Sequence, residues 1–78
     1  MEITSVNNEL VKEAVKLQQK KYRTQSGKFL LEGFKAIKEA IESDIVIENI
    51  FVNKNKTKEY NLKNKNIIET TELVLKKI

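Results

Sequence analysis

Leu10, Ala14 and Leu17 recur at i, i+4 and i+7, with Val11 and Val15 widening the apolar stripe. This spacing predicts an amphipathic helix over about residues 8–21. Of Ser5, Asn7 and Asn8, the last is best placed to cap it, because Glu9 then sits in the first turn near the positive end of the helix dipole. On another side of the same helix Lys12, Lys16 and Lys20 repeat every four residues, which puts three ammonium groups in one row. Residues 24–27 (Thr, Gln, Ser, Gly) read as a polar break. Lys28 to Glu32, with Phe29, Leu30 and Leu31 in succession, then predicts a short buried strand closed by Gly33.

A second helix should follow directly. Phe34, Ile37, Ala40 and Ile41 form its apolar face, and Lys35 with Glu39 and Lys38 with Glu42 are i, i+4 pairs on its wet side. Asn49 to Asn53, centred on Ile50, Phe51 and Val52, predicts a second strand. The run from Lys54 to Asn66 is lysine- and asparagine-rich and reads as a loop with a weak helical turn, anchored by Tyr60 and Leu62. Residues 66–69 predict a third strand, Thr70 or Thr71 a cap, and residues 72–78 a last helix. Phe29, Phe34 and Phe51 are assigned to the core by these positions. Strands alternating with helices imply a layered α/β domain with a largely parallel or mixed sheet.

Composition narrows the chemistry more than the fold. At 78 residues the chain can bury roughly 60% of its unfolded surface, so one core of modest stability is expected. Cysteine and histidine are both absent, which removes disulfides, thiolate and imidazole metal sites and any Ser-His or Cys-His nucleophile. The isolated chain is therefore not expected to be an enzyme, and no cofactor is expected in it. The N-terminus lacks a basic segment followed by an apolar one, and no apolar run approaches the roughly 20 residues of a membrane helix, so a cytoplasmic location and no membrane partner are expected.

The net charge is +4, but the cations are almost all lysine beside many asparagines and isoleucines, as an AT-rich coding sequence alone would produce. Distribution matters more than the total. Residues 12–28 hold Lys12, Lys16, Lys20, Lys21, Arg23 and Lys28 against the single acid Glu13, whereas residues 29–78 are nearly balanced. Ammonium groups on successive turns can neutralise successive phosphates, so this stretch is the candidate surface for a polyanionic partner; a merely solvated helix face is the alternative. Arg23, the one arginine, suits either a bidentate contact to phosphate or a staple from the helix end to a carboxylate such as Glu32. Tyr22 among the cations could stack on a base or simply pack. Gly27 and Gly33 are assigned to turn geometry, and Glu32 to capping the second helix or meeting a ribose hydroxyl.

Ile3-Thr4-Ser5, Asn8, Val11-Lys12, Leu17, Lys20-Lys21, Arg23, Gly27, Phe29-Leu30 and Glu32-Gly33 form an ordered set. It resembles the opening of the SpoU/TrmH family of RNA ribose 2′-O-methyltransferases, whose N-terminal substrate-binding domain begins with ITS, NP, VK, a leucine, KK-R, G-x-F and EG. Glu9 departs from the family's proline, yet an acid serves a first helical turn through the dipole as a proline does through its fixed φ. The resemblance implies that residues 1–78 are one substrate-binding domain, and that its fold is a small three-layer α/β/α type with a mixed sheet, shared with ribosomal and kink-turn-binding proteins. It further implies that a last strand and the knotted catalytic domain that binds S-adenosylmethionine are missing.

The junction Glu32-Gly33-Phe34-Lys35 would face RNA, which adds Lys35 to Lys12, Lys16, Lys20, Lys21, Arg23 and Lys28 as expected RNA contacts. The expected partner is structured ribosomal or transfer RNA, with homodimerisation in the parent enzyme and self-association possible in the fragment. Two rivals remain. A protein-interaction or dimerisation module would bind indifferently to salt, and a DNA-binding module would have only Gln18 and Gln19 to read base edges. A peripheral membrane helix lacks the bulky aromatics that favour interfaces.

Overall fold

The computed structural model describes residues 1–60 and 66–78. Its elements in chain order are α1 (Glu9–Lys16), α2 (Lys20–Ser26), α3 (Phe34–Glu42), β1 (Ile50–Asn53), α4 (Thr57–Tyr60), β2 (Ile67–Thr70) and α5 (Glu72–Lys77). β1 and β2 pair in parallel with Ile50 opposite Ile67 and Asn53 opposite Thr70. The N-terminus lies along the other side of β2: Glu69 donates its N–H to the Met1 carbonyl at 2.8 Å and accepts from the Ile3 N–H at 2.9 Å. Helices and parallel strands together make an α/β domain, and every backbone pairing among the described strand residues is parallel.

Asn8 caps α1 as its side chain allows, accepting from the Leu10 N–H at 2.8 Å from an extended backbone. Val11 and Ala14 carry the helix onto the core. The helix stops earlier than its spacing predicts. The N–H groups of Gln18 and Gln19 fold back three residues, to the Val15 and Lys16 carbonyls, and Gln19 then turns extended (φ −93°, ψ 128°) to start α2. The single helix expected over residues 8–21 is thus two. Beyond Leu17 the next four residues supply no apolar side chain to hold one continuous helix against the core. The Arg23 guanidinium takes the carbonyls of Leu17 and Gln18, at 2.9 and 3.0 Å, that a continuing helix would have used. Thr24, Gln25 and Ser26, read as a break, complete α2 instead; Gly27 closes it in the left-handed region (φ 69°) that a side chain would oppose.

Ile3, Val11, Ile68 and Val74 form the core cluster, with Val6, Leu10, Val15, Phe51 and Ile78 packed against it. Thr70 is fully buried, and its hydroxyl donates to the Ile3 carbonyl at 2.5 Å, so the one buried polar side chain among the described residues is satisfied. Thr71 caps α5 by accepting from the Val74 N–H at 3.4 Å, which places Val74 on the core.

The segment from Lys28 to Glu32 forms no strand. Phe29 is 62% exposed, and Leu31 and Phe34 also stand in solvent, so of the three phenylalanines assigned to the core only Phe51 packs there. A strand exists through its neighbours. This segment and β1 both line one groove of about 900 Å³, and among the described residues no backbone hydrogen bond joins them. α3 is capped by Gly33 without any side-chain acceptor, so Glu32 is not its cap. Lys35–Glu39 and Lys38–Glu42 do not close as ion pairs. Within the polar run, Thr57–Tyr60 supplies the helical turn; the Tyr60 side chain and Leu62, expected as anchors, lie outside the described residues.

Candidate nucleic-acid interface

The corner between α1 and α2 gathers most of the expected contacts. Lys12 and Lys16 are one turn apart on α1, while Lys20 and Lys21 open α2, so the row of three ammonium groups bends at Leu17 rather than running straight. Between Ala14 and Leu31 the chain carries Lys16, Lys20, Lys21, Arg23 and Lys28 and no acid at all. Lys12 meets Glu9 at 3.9 Å, with half its side chain exposed. Such a surface pair holds weakly and leaves the ammonium available. Lys20 and Lys21 are exposed in the first turn of a helix that has no acidic residue there, where like-signed charge meets the positive end of the dipole.

The remaining residues are tied down. The Arg23 guanidinium braces the corner by donating to the carbonyls of Leu17 and Gln18, just past α1, and makes no ion pair with Glu32. Lys16 lies 5.8 Å from the centroid of the Tyr22 ring, joining α1 to α2 by a cation–π contact and occupying a ring face that a base would need. Lys28 sits between Glu48 at 3.0 Å and Glu13 at 3.3 Å. Its hydrogen bonds to Glu48 and then Glu13 hold its pKa above the ordinary lysine value. Lys35 stands exposed on α3, apart from the corner.

Lys20, Arg23, Thr24, Gly27, Lys28 and Phe29 line one shallow depression of about 460 Å³ at the end of α2. Thr24 and Phe29 were not among the expected contacts: Thr24 was read as a break and Phe29 as core. Their signal was the polar turn beside an aromatic, which burial logic assigned elsewhere. Gln18, one of two base-reading candidates for the DNA-binding alternative, is spent on the C-terminus, where its amide donates to the Lys77 carbonyl at 3.0 Å and to the Ile78 carbonyl.

The comparisons with known proteins agree with the resemblance in the sequence. The family model of the MRM3-like substrate binding domain matches residues 8–78. A solved structure described as an RNA 2′-O ribose methyltransferase superposes with a TM-score of 0.80 at 31% identity, covering 99% of this chain. The chain spans 31% of the length of that protein. No curated protein matches the sequence. Family model, matching fold and the ordered motifs from Asn8 to Gly33 converge on one assignment: the chain belongs to the MRM3-like substrate-binding domains, the N-terminal substrate-binding domain of SpoU-like enzymes.

Proposed function

We propose that this domain holds structured ribosomal or transfer RNA by its phosphates and shape, and so raises the local concentration of one ribose 2′-hydroxyl at a methyl-transfer site on a separate domain. The observation that carries the reading is the stretch from Ala14 to Leu31, which holds no acid in sequence and within which Lys20 and Lys21 open α2 exposed and without an acidic residue in its first turn. An RNA phosphate supplies that missing negative charge and releases counterions as it does so. Lys12, Lys20 and Lys21 make the direct contacts. Lys16, Arg23 and Lys28 shape the corner and add to its potential, and Lys35 adds a separate exposed cation on α3. S-adenosylmethionine and the transfer chemistry belong to the parent's other domain, through which the parent would also dimerise. In this reading the substrate-binding domain is a three-layer α/β/α unit spanning residues 1–78 and works in the cytoplasm.

The test is binding to a ribosomal RNA hairpin and to matched duplex DNA over a salt series. The wild-type chain should prefer RNA. In the Lys12→Ala, Lys20→Ala, Lys21→Ala variant the slope of log K against log salt should fall by about 2–3, since each phosphate contact contributes about 0.7–0.9. Equal, salt-indifferent binding by both proteins would remove RNA as the ligand of this corner and leave a protein-interaction module.

A further inference from the structure

Arg23 is the one arginine of the chain, and the fold engages only part of it. Both hydrogen bonds that brace the corner, to the Leu17 and Gln18 carbonyls at 2.9 and 3.0 Å, leave from Nη1. Nη1 is the terminal nitrogen on the Cδ side of the guanidinium plane. The opposite edge, where Nε–H lies parallel to one N–H of Nη2, has no partner among the described residues. That edge is the side-on fork that takes two oxygens of one oxyanion at once.

The side chain is thus anchored at one end and open at the other. Holding Nη1 on two backbone carbonyls fixes the plane of the fork, so the rotamer freedom that a long side chain gives up on binding is already lost. Lys20 stands three residues earlier on the same face of α2, and Lys20, Arg23 and Thr24 together line the depression of about 460 Å³ at the end of that helix. Like charges at this spacing repel, and an anion held between them removes the repulsion. Lys28 lines the depression too but is committed to Glu48 and Glu13, and the Thr24 hydroxyl donates to the Lys20 carbonyl at 3.1 Å. The donors left to a ligand are the Lys20 ammonium and the Arg23 fork.

We propose that this depression is a phosphate subsite, in which the Nε–Nη2 edge of Arg23 takes two oxygens of one RNA phosphodiester while the Lys20 ammonium meets the same group. The inference rests on the RNA reading and deepens it, giving Arg23 a contact of its own beside its bracing of the corner. A phosphodiester chain carries its next charges onward to the exposed Lys21 and Lys12, as an isolated carboxylate does not. The fork also explains an arginine at this one position: a lysine could brace the carbonyls or meet the phosphate, but its single nitrogen cannot present two parallel N–H bonds.

A lone arginine makes the test direct, because the intact chain has one side-chain Nε–H signal of this kind in a proton–nitrogen correlation spectrum. A ribosomal RNA hairpin, inorganic phosphate and a glutamate-rich peptide are titrated separately. RNA should move the Arg23 Nε–H signal and saturate it together with the backbone amides of Lys20 and Lys21. Inorganic phosphate should move it in the same direction more weakly, and the peptide should leave it in place. Arg23→Lys keeps the charge and loses the fork, so RNA binding should weaken about tenfold while the slope of log K against log salt stays the same. Lys20→Ala, which leaves the brace intact, should shrink the Nε–H response to phosphate without altering amide exchange in α2. Corner amides that shift with RNA while Nε–H stays still overturn the subsite and leave RNA binding standing. Amides and Nε–H both indifferent to RNA overturn the two readings together. A response to phosphate without one to RNA makes the ligand a free phosphate, and a response to the peptide alone makes it a protein; either result overturns the proposal.

Discussion

α1 and α2 are adjacent, of nearly equal length, and held by opposite means. α1 has a side-chain cap, an acid in its first turn, a lysine in its last, and two buried residues, Val11 and Ala14. α2 has none of the first two, buries no residue, and opens on two lysines. What keeps α2 in place is polar: the Arg23 brace, the Lys16–Tyr22 contact, the Gly27 turn, and hydroxyls of Thr24 and Ser26 returned to the carbonyls of Lys20 and Tyr22. The core thus anchors one helix, and that helix carries the other as a charged outwork. A surface built this way can present cations without burying any of them, the condition for meeting a polyanion from solvent.

The contrast can be broken most forcefully from the α1 side. Val11→Ala removes two fully buried methyl groups and should cost about 2 kcal/mol, lowering the melting temperature by about 10 °C in a scanning calorimeter. Arg23→Ala leaves the carbonyls of Leu17 and Gln18 without their charged donor, a loss of about 1–2 kcal/mol with most of the change in α2; amide exchange should accelerate there while α5 stays protected. Lys20→Glu sharpens the comparison, because it should stabilise α2 by about 0.5 kcal/mol through the dipole while weakening RNA binding. Stability and affinity moving together in that variant would contradict the division of labour.

The smallest effect is the pH response of Lys28. Its folded pKa is raised, so the link to Glu48 and Glu13 contributes fully below the ordinary lysine value near about 10.4 and fades as pH rises through the raised one. An alkaline titration followed by the Lys28 side-chain NMR signal should show a midpoint above the ordinary lysine value.

What the sequence displays is periodicity and end chemistry. Asn8 as cap, Thr71 as cap, the strands around Phe51 and Ile68 and the last helix all follow from patterns contained within a few residues. The end of α1 at Lys16 was hidden because no glycine or proline marks it; the decisive partner, Arg23, bonds back across six residues by a geometry that spacing does not reveal. Phe29 to Leu31 has the composition of a strand and the surroundings of a loop, since strand identity depends on a hydrogen-bonded neighbour and none of the described strands pairs with it. Among the site residues the sequence could place the charge but not its engagement: Lys20 and Lys28 look alike in the chain, yet one is open and the other is clasped by two carboxylates.

The Thr70 hydroxyl on the Ile3 carbonyl joins residues 67 positions apart, and the same strand secures Met1. Folding therefore cannot be completed from the N-terminus outward as the chain is synthesised. The first three residues must wait until Glu69 and Thr70 have left the ribosome, and closing so long a loop makes their docking late among the contacts of this domain. A fusion partner placed ahead of Met1 would burden that late step, slowing folding before it altered the finished domain.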